Sequence, residues 1–158
     1  MVKKGQKVQP AKPKGKQEKA QAGGKGGKAK EEEEVKVGEN KLKSLYAALD
    51  NGQNKQALKQ ANALLAKHPG AQLVKVLKAL AYLRMEEREL AFQCFHEVCL
   101  KLPSDDLVLN NLLLVGRLLD RLDLVTLVFE AASKAAPSNL DLHIHVFFCH
   151  LREFNFKK

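Results

Sequence analysis

The amino-acid sequence predicts an all-α fold, a solenoid of about three and a half helical hairpins carried behind a disordered N-terminal arm. Three observations predict it. Pro69, Pro103 and Pro137 fall 34 residues apart, apolar residues after Gly38 recur with helical spacing, and residues 1–30 hold almost nothing that a core could bury. The expected division is an arm over 1–39 and helical repeats over 40–158.

The helices follow from the punctuation. A first is expected over 41–49, ending at Asp50-Asn51-Gly52, where Asn and Gly accept the left-handed conformation of a helix C-terminus. A second covers 55–67 and stops at His68-Pro69-Gly70; a third covers 72–85 and turns at Glu86-Glu87 into a fourth that ends near Leu102. Ser104-Asp105-Asp106 is an N-cap cluster for a fifth helix reaching Asp120, because a short side-chain oxygen there accepts from an otherwise unpaired backbone N–H. A sixth covers 122–135 and is closed by Pro137, and Ser138-Asn139 restart the chain into a seventh reaching Phe154. Turns this short make the helices antiparallel neighbours.

Counting each proline as position 32 of a repeat puts Ala57, Ala91 and Val125 at position 20, where a small residue lets two helices cross closely. Phe95 and Phe129 share position 24 with Ala61, and Leu64, Val98 and Ala132 share position 27. Tyr82 and Ala79 occupy the aromatic and small positions of a first helix. This is the period and packing pattern of the tetratricopeptide repeat. Strict register would sink Lys75 and Lys78 into the core, which the cost of burying an ammonium forbids. A one-residue slip is therefore expected, turning Val74, Leu77 and Ala81 inward. Helix five, from Leu107 to Val115, is apolar almost all round and is expected to be buried on two sides. Because Phe154-Asn155-Phe156 brings no partner helix or polar cap, the array is expected to continue or to be capped by a partner.

Charge is unevenly placed. Residues 1–30 contain ten lysines and one acid, Glu18; subtracting them from the 27 basic and 18 acidic residues of the chain leaves 17 of each in 31–158. The arm therefore carries the excess charge, through Lys3, Lys4, Lys7, Lys12, Lys14, Lys16, Lys19, Lys25, Lys28 and Lys30. Such a segment binds a polyanion such as ribosomal RNA, steeply dependent on salt, or serves only to solubilise the chain; both readings stand. With no aromatic residue for stacking and no arginine for bidentate reading, any contact to RNA would be non-specific. Cys94, Cys99 and Cys149 are odd in number, lack C-x-x-C spacing and sit in apolar helical stretches, so they read as reduced core thiols. No apolar run resembles a signal peptide or a membrane span, and a soluble cytoplasmic protein is expected.

No catalytic constellation stands out. Gln21-Ala22-Gly23-Gly24-Lys25-Gly26 satisfies a Q-x-x-G-x-G pattern that binds acetyl-CoA pyrophosphate, yet a phosphate loop needs a strand before it and a helix N-terminus after it, and both flanks are low in complexity. His143, His145, Cys149 and His150 crowd one helix, but residues two apart on a helix face different ways and seven apart are too distant to share an ion. The chain is thus expected to hold no metal or cofactor and to be no enzyme. In solenoids of this type the first helices line the concave face. Here they bring Lys75, Lys78, Asn110, Asn111 and Arg117 among leucines, a mixed apolar and basic groove suited to a protein partner. Neither Lys41 nor Lys43 has an asparagine four residues later, so the carboxylate clamp of chaperone-binding repeats is not evident, which weakens a chaperone-adaptor reading.

The segments Tyr46 to Leu58, Leu64 to Pro69, and Lys75 to Leu80 resemble the N-terminal repeats of the auxiliary-subunit family of the N-terminal acetyltransferase B complex. Glu130-Ala131-Ala132, Pro137 and His143 to Phe147 are similar to the same family. The resemblance covers residues 40–158 and leaves the arm outside. It implies a non-catalytic scaffold that wraps a separate catalytic acetyltransferase subunit and brings it to ribosomes. There nascent chains beginning Met-Asp, Met-Glu, Met-Asn or Met-Gln would be acetylated from acetyl-CoA held by that other subunit.

Overall fold

A computed structural model describes residues 39–152, and all regular structure among them is helical. The order is α1 (Glu39–Asp50), α2 (Asn54–Lys67), α3 (Gln72–Leu83), α4 (Arg88–Cys99), α5 (Asp106–Leu119), α6 (Leu122–Ala135) and α7 (Leu140–Arg152). Successive helices pack on one another; in addition α3 packs against α5, and α4 against α6. The family pattern of tetratricopeptide hairpins read from the proline spacing is the architecture observed.

Local chemistry sets the boundaries. The Asp105 side chain caps α5 by accepting from Val108 N at 3.0 Å, and Asn139 Oδ1 caps α7 by accepting from Asp141 N at 3.1 Å. Gly52, with φ of 71°, reverses the chain after α1, and Asp120 takes the same left-handed region at φ 60° to end α5. Two helices are shorter than the periodicity suggests. α3 stops at Leu83 and α4 at Cys99 because the residues that follow bond three positions back, Met85 N to Tyr82 O and Lys101 N to Val98 O, before Glu86 (φ 65°) and Leu102 (φ 46°) take the left-handed region. The segment after Arg152, including Phe154, lies outside the described residues.

Helix C-termini leave carbonyls without intrahelical partners, and two arginines supply them. The Arg84 guanidinium, at the end of α3, donates to Leu49 O at the end of α1, while Arg88 Nη2, opening α4, reaches Leu119 O at the end of α5 at 3.4 Å. Cationic groups are favourable there because the helix dipole is negative at that end. These bonds join one hairpin to the next.

The core lies between the two helix layers. Ala57, Ala91 and Val125 are fully buried, as are Phe95 and Phe129. Val74, Leu77 and Ala81 turn inward, as the slipped register requires, and Lys75 and Lys78 stay at the margin. Helix α5 is covered on two sides, although its sequence is apolar almost all round. Val108, Leu109, Leu112, Leu113, Val115 and Leu119 are buried, but Leu107, Leu114 and Leu118 are 59%, 44% and 47% exposed. Neighbours cover two sides of this helix and leave the third open.

A close crossing involves Gly116. A Cβ placed there would lie 2.4 Å from Val125 Cγ2, so α5 and α6 approach to a distance that any side chain at 116 would prevent. Gly116→Ala is expected to destabilise the protein by about 1–3 kcal/mol through overpacking, offset by up to about 1 kcal/mol of helix propensity. Adding Val125→Ala should remove the clash. Urea denaturation of the double variant should show a loss smaller than the sum of the two single losses; strict additivity would mean that the crossing is not the constraint.

Candidate partner-binding groove

Three contacts define which face of a first helix looks at the second helix of its hairpin. Ser44 Oγ donates to Gln60 Oε1 at 3.4 Å between α1 and α2, Lys75 Nζ donates to Glu97 Oε2 at 2.8 Å between α3 and α4, and Gly116 meets Val125 between α5 and α6. The five residues expected to line one groove fall on two surfaces with respect to this seam. Lys75 is on the seam itself. Lys78, one turn further, holds its Nζ 5.6 Å from the Tyr82 ring centroid in a cation–π contact.

The Lys75 ammonium beside Glu97 holds that carboxyl below the usual carboxylate range. Half-buried Cys94 shares this environment: burial raises its thiol, and Lys78 and Lys75 only partly oppose that. Burial pushes the Cys99 thiol up to about 12. Reactive cysteines have depressed values, so neither thiol is poised as a nucleophile.

The other three residues lie on α5. Asn110 and Arg117 are exposed, seven positions apart and therefore on one face, interleaved with the exposed Leu107, Leu114 and Leu118. Asn111 is half-buried. Its Nδ2 donates to Leu107 O at 2.7 Å and to the Tyr46 hydroxyl of α1 at 3.4 Å. Tyr46 and Asn111 thus meet from α1 and α5, the first helices of the hairpins before and after that of α3, whose Val76 and Leu80 are buried. Burial is the main reason the Tyr46 phenol titrates above its ordinary value, with the Asn111 bond acting the other way. The open part of the inner surface is accordingly the α5 stripe. Beside it, a cavity of about 240 Å³ is lined by Asp106, Leu109, Asn110, Phe129, Ile144 and His145, among others.

The histidines of α7 are distributed among separate tasks. His143 Nε2 lies 3.0 Å from Pro137 O, His145 stacks on Phe129 at 5.2 Å between centroids, and His150 Nε2 is 3.1 Å from Glu130 Oε1. Among the described residues no three His, Cys, Asp or Glu side chains are grouped to hold a metal ion, and no helix is long and apolar enough to cross a membrane. The ten arm lysines, from Lys3 to Lys30, and the Gln21 to Gly26 pattern lie outside the described residues.

Residue counting over the whole folded part missed a basic first hairpin. Residues 39–67 hold five lysines against Glu39 and Asp50, whereas 68–152 hold nine basic and ten acidic residues. Lys41, Lys43, Lys55, Lys59 and Lys67 are all exposed, and Lys41 and Lys67 flank a cleft of about 250 Å³ that also contains Ser44 and Gln60. Counting by hairpin would have found it.

The seam ion pair predicts an acid-side effect. Glu97 has a folded pKa below its unfolded value, so the pair's stabilisation is complete above the unfolded pKa near 4.3 and is lost as pH falls through the folded value. Glu97 is exposed, which limits the contribution to under about 1 kcal/mol. Glu97→Gln should flatten the decline of stability between about pH 5 and pH 3 by that amount in chemical denaturation. An unchanged slope would show that the pair is not formed in solution.

Comparison with known proteins adds the lineage. A family model described as "Psidin, N-terminal TPR repeats region" matches residues 39–158. The chain is 39% identical over 120 residues to the Homo sapiens protein "N-alpha-acetyltransferase 25, NatB auxiliary subunit", covering 76% of this chain and 12% of that one. It is 35% identical over 132 residues to the Arabidopsis thaliana "N-terminal acetyltransferase B complex auxiliary subunit NAA25", covering 77% of this chain, and 32% identical over 119 residues to "Phagocyte signaling-impaired protein" of Drosophila pseudoobscura pseudoobscura, covering 75%. The chain spans 12% of the length of each of these relatives. With the hairpin architecture and a family match that runs from the first residue of α1 to the last residue of the sequence, the chain belongs to the Psidin N-terminal tetratricopeptide-repeat family.

Proposed function

We propose that this chain is a non-catalytic scaffold element of the N-terminal acetyltransferase B complex, holding the catalytic subunit and helping to bring it to ribosomes in the cytoplasm. The observation that carries the reading is the match, over three quarters of the chain, to relatives named as auxiliary subunits of that complex. The surface chemistry supports it. Exposed Leu107, Leu114 and Leu118 on one helix offer apolar area that water penalises, and Asn110 and Arg117 beside them can fix the orientation of a docked helix.

The polyanion contact belongs in this reading to the arm, and the first hairpin separately carries exposed positive charge. Ten arm lysines and five exposed lysines on α1 and α2 place positive charge at one end of the sequence, and the remaining hairpins carry none in excess. Lysine ammonium groups bind phosphates as point charges and release condensed counterions, so the association should be non-specific and salt-dependent. A reading as a chaperone adaptor has no such support, since Lys41 and Lys43 are followed four residues later by Leu45 and Ala47.

Affinity purification of the tagged full-length chain should recover an N-terminal acetyltransferase catalytic subunit. Leu114→Glu with Leu118→Glu, both at exposed positions, should reduce that recovery about tenfold or more while leaving the helical circular dichroism unchanged. Purification without any acetyltransferase subunit would sink the scaffold reading. Separately, removing residues 1–30 should weaken binding to ribosomal RNA and flatten its dependence on salt concentration; equal slopes for the two proteins would remove the arm from the contact.

A further inference from the structure

The open stripe of α5 has a counterpart on the next first helix. Ile144, Phe148 and Leu151 of α7 stand 34 residues after Asn110, Leu114 and Arg117, and all three are exposed. Whereas α3 packs against α5, α7 is packed on α6, and the cavity of about 240 Å³ lies between α5 and α7. Its floor is apolar, formed by the buried Leu109, Phe129 and Leu142. Its rim carries Asp106, Asp141 and Asn110, all exposed, and the two carboxylates come from the first turns of different helices. No lysine or arginine lines it, and neither carboxylate is in an ion pair among the described residues. At the opposite ends of the same helices stand Arg117 and Arg152, both exposed. The groove is therefore apolar along its length, negative at one end and positive at the other. An acid in the first turn suits the dipole of its own helix, but that benefit requires neither an apolar floor nor an opening between the helices.

We infer that this groove receives an amphipathic helix of a partner protein, and that an arginine in the first turn of that helix enters the cavity between Asp106 and Asp141. Small-molecule sites run to roughly 300–1,000 Å³; this cavity is smaller and suits a single long side chain. Its lining selects a cation with an apolar stem. The aliphatic part of an arginine covers Leu109 and Ile144, and the guanidinium, with five donors in one plane, meets two carboxylates and the Asn110 amide oxygen. Arginine is favoured over lysine because a guanidinium is more weakly hydrated and loses less on entering a partly closed site. The apolar stripes set the rest of the ligand. From Leu107 to Leu118 the face is about 17 Å long, three helical turns, which matches leucines at i, i+3, i+4 and i+7. The charges set its direction: an N-terminus at the cavity brings the positive end of the ligand's dipole to two carboxylates and its negative end to Arg117 and Arg152. The inference rests on the scaffold reading in giving the α5 stripe a protein partner, and adds the cavity, the α7 stripe and the charge that the partner carries.

The test uses a fluorescein-labelled helical peptide of about 14 residues, with arginine in its first turn, leucines at i, i+3, i+4 and i+7, and glutamate in its last turn. It is titrated with the 158-residue chain and followed by fluorescence anisotropy. Replacing the peptide's arginine by glutamine should weaken binding about tenfold, and exchanging its arginine with its glutamate should weaken it at least as much. Asp106→Asn with Asp141→Asn, checked for unchanged helical circular dichroism, should weaken the arginine peptide about tenfold and the glutamine peptide less than about twofold, so that the two are no longer told apart. Equal affinity of the arginine and glutamine peptides for the unaltered chain would overturn the inference, and this comparison needs no variant to fold. So would a preference for arginine that survives in the double variant, or no binding of the arginine peptide at about 1 mM chain. The two readings fail separately, because peptide affinity does not depend on an acetyltransferase subunit and recovery of that subunit does not depend on the peptide.

Discussion

The close crossing of the two helices within a hairpin is the constraint on which the remaining features depend. Two helices packed through large side chains sit about 8–10 Å apart, and only small residues at the contact allow less. Gly116 against Val125 provides that in the third hairpin, and Ala57 and Ala91 are the buried small residues equivalent to Val125 in the first two. Once the helices are drawn together there, Phe95 and Phe129, one turn further along the second helices, are carried fully into the core. A hairpin so closed leaves its first helix free to touch the first helix of the next, as α3 meets α5, and lets Tyr46 of α1 reach Asn111 of α5.

The same geometry separates the surfaces by function. A carboxylate stands opposite Lys75 on the seam, and Lys75 is engaged with Glu97. Inner positions of α5 have no such opposite number, and their leucines remain in water beside Asn110 and Arg117. Exposed apolar residues gathered on one helix face are uncommon unless something binds there. Positive charge is gathered elsewhere, on the arm and the first hairpin. Protein contact and polyanion contact are therefore proposed for different parts of the chain, and neither needs the other's residues.

Histidine and cysteine side chains, which in another setting would invite a catalytic or metal-binding interpretation, are absorbed by packing. His145 stacks on a core phenylalanine, His143 reaches a loop carbonyl, and Cys99 is buried enough to hold its proton far above neutral pH. Their clustering in sequence on α7 reflects helical crowding, since consecutive residues on a helix point to different neighbours.

The order and approximate limits of the seven helices, the 34-residue period, the small residues at the crossings and the caps at Asp105 and Asn139 were determined by the sequence alone, because each depends on spacing or on bonds within a few residues. That Lys75 and Lys78 stay out of the core was legible for a similar reason: the cost of burying a charge is read from the residue itself. Three things were decided only by tertiary structure. They are which leucines of α5 are covered, which lysine finds a carboxylate across the seam, and that Tyr46 and Asn111 meet although 65 residues apart. Helix five reads as apolar all round, and nothing in its own residues distinguishes Leu113, which is buried, from Leu114, which is not. The distinction comes from the side of the helix that its neighbours occupy, and a helix cannot encode the position of its neighbours in its own periodicity.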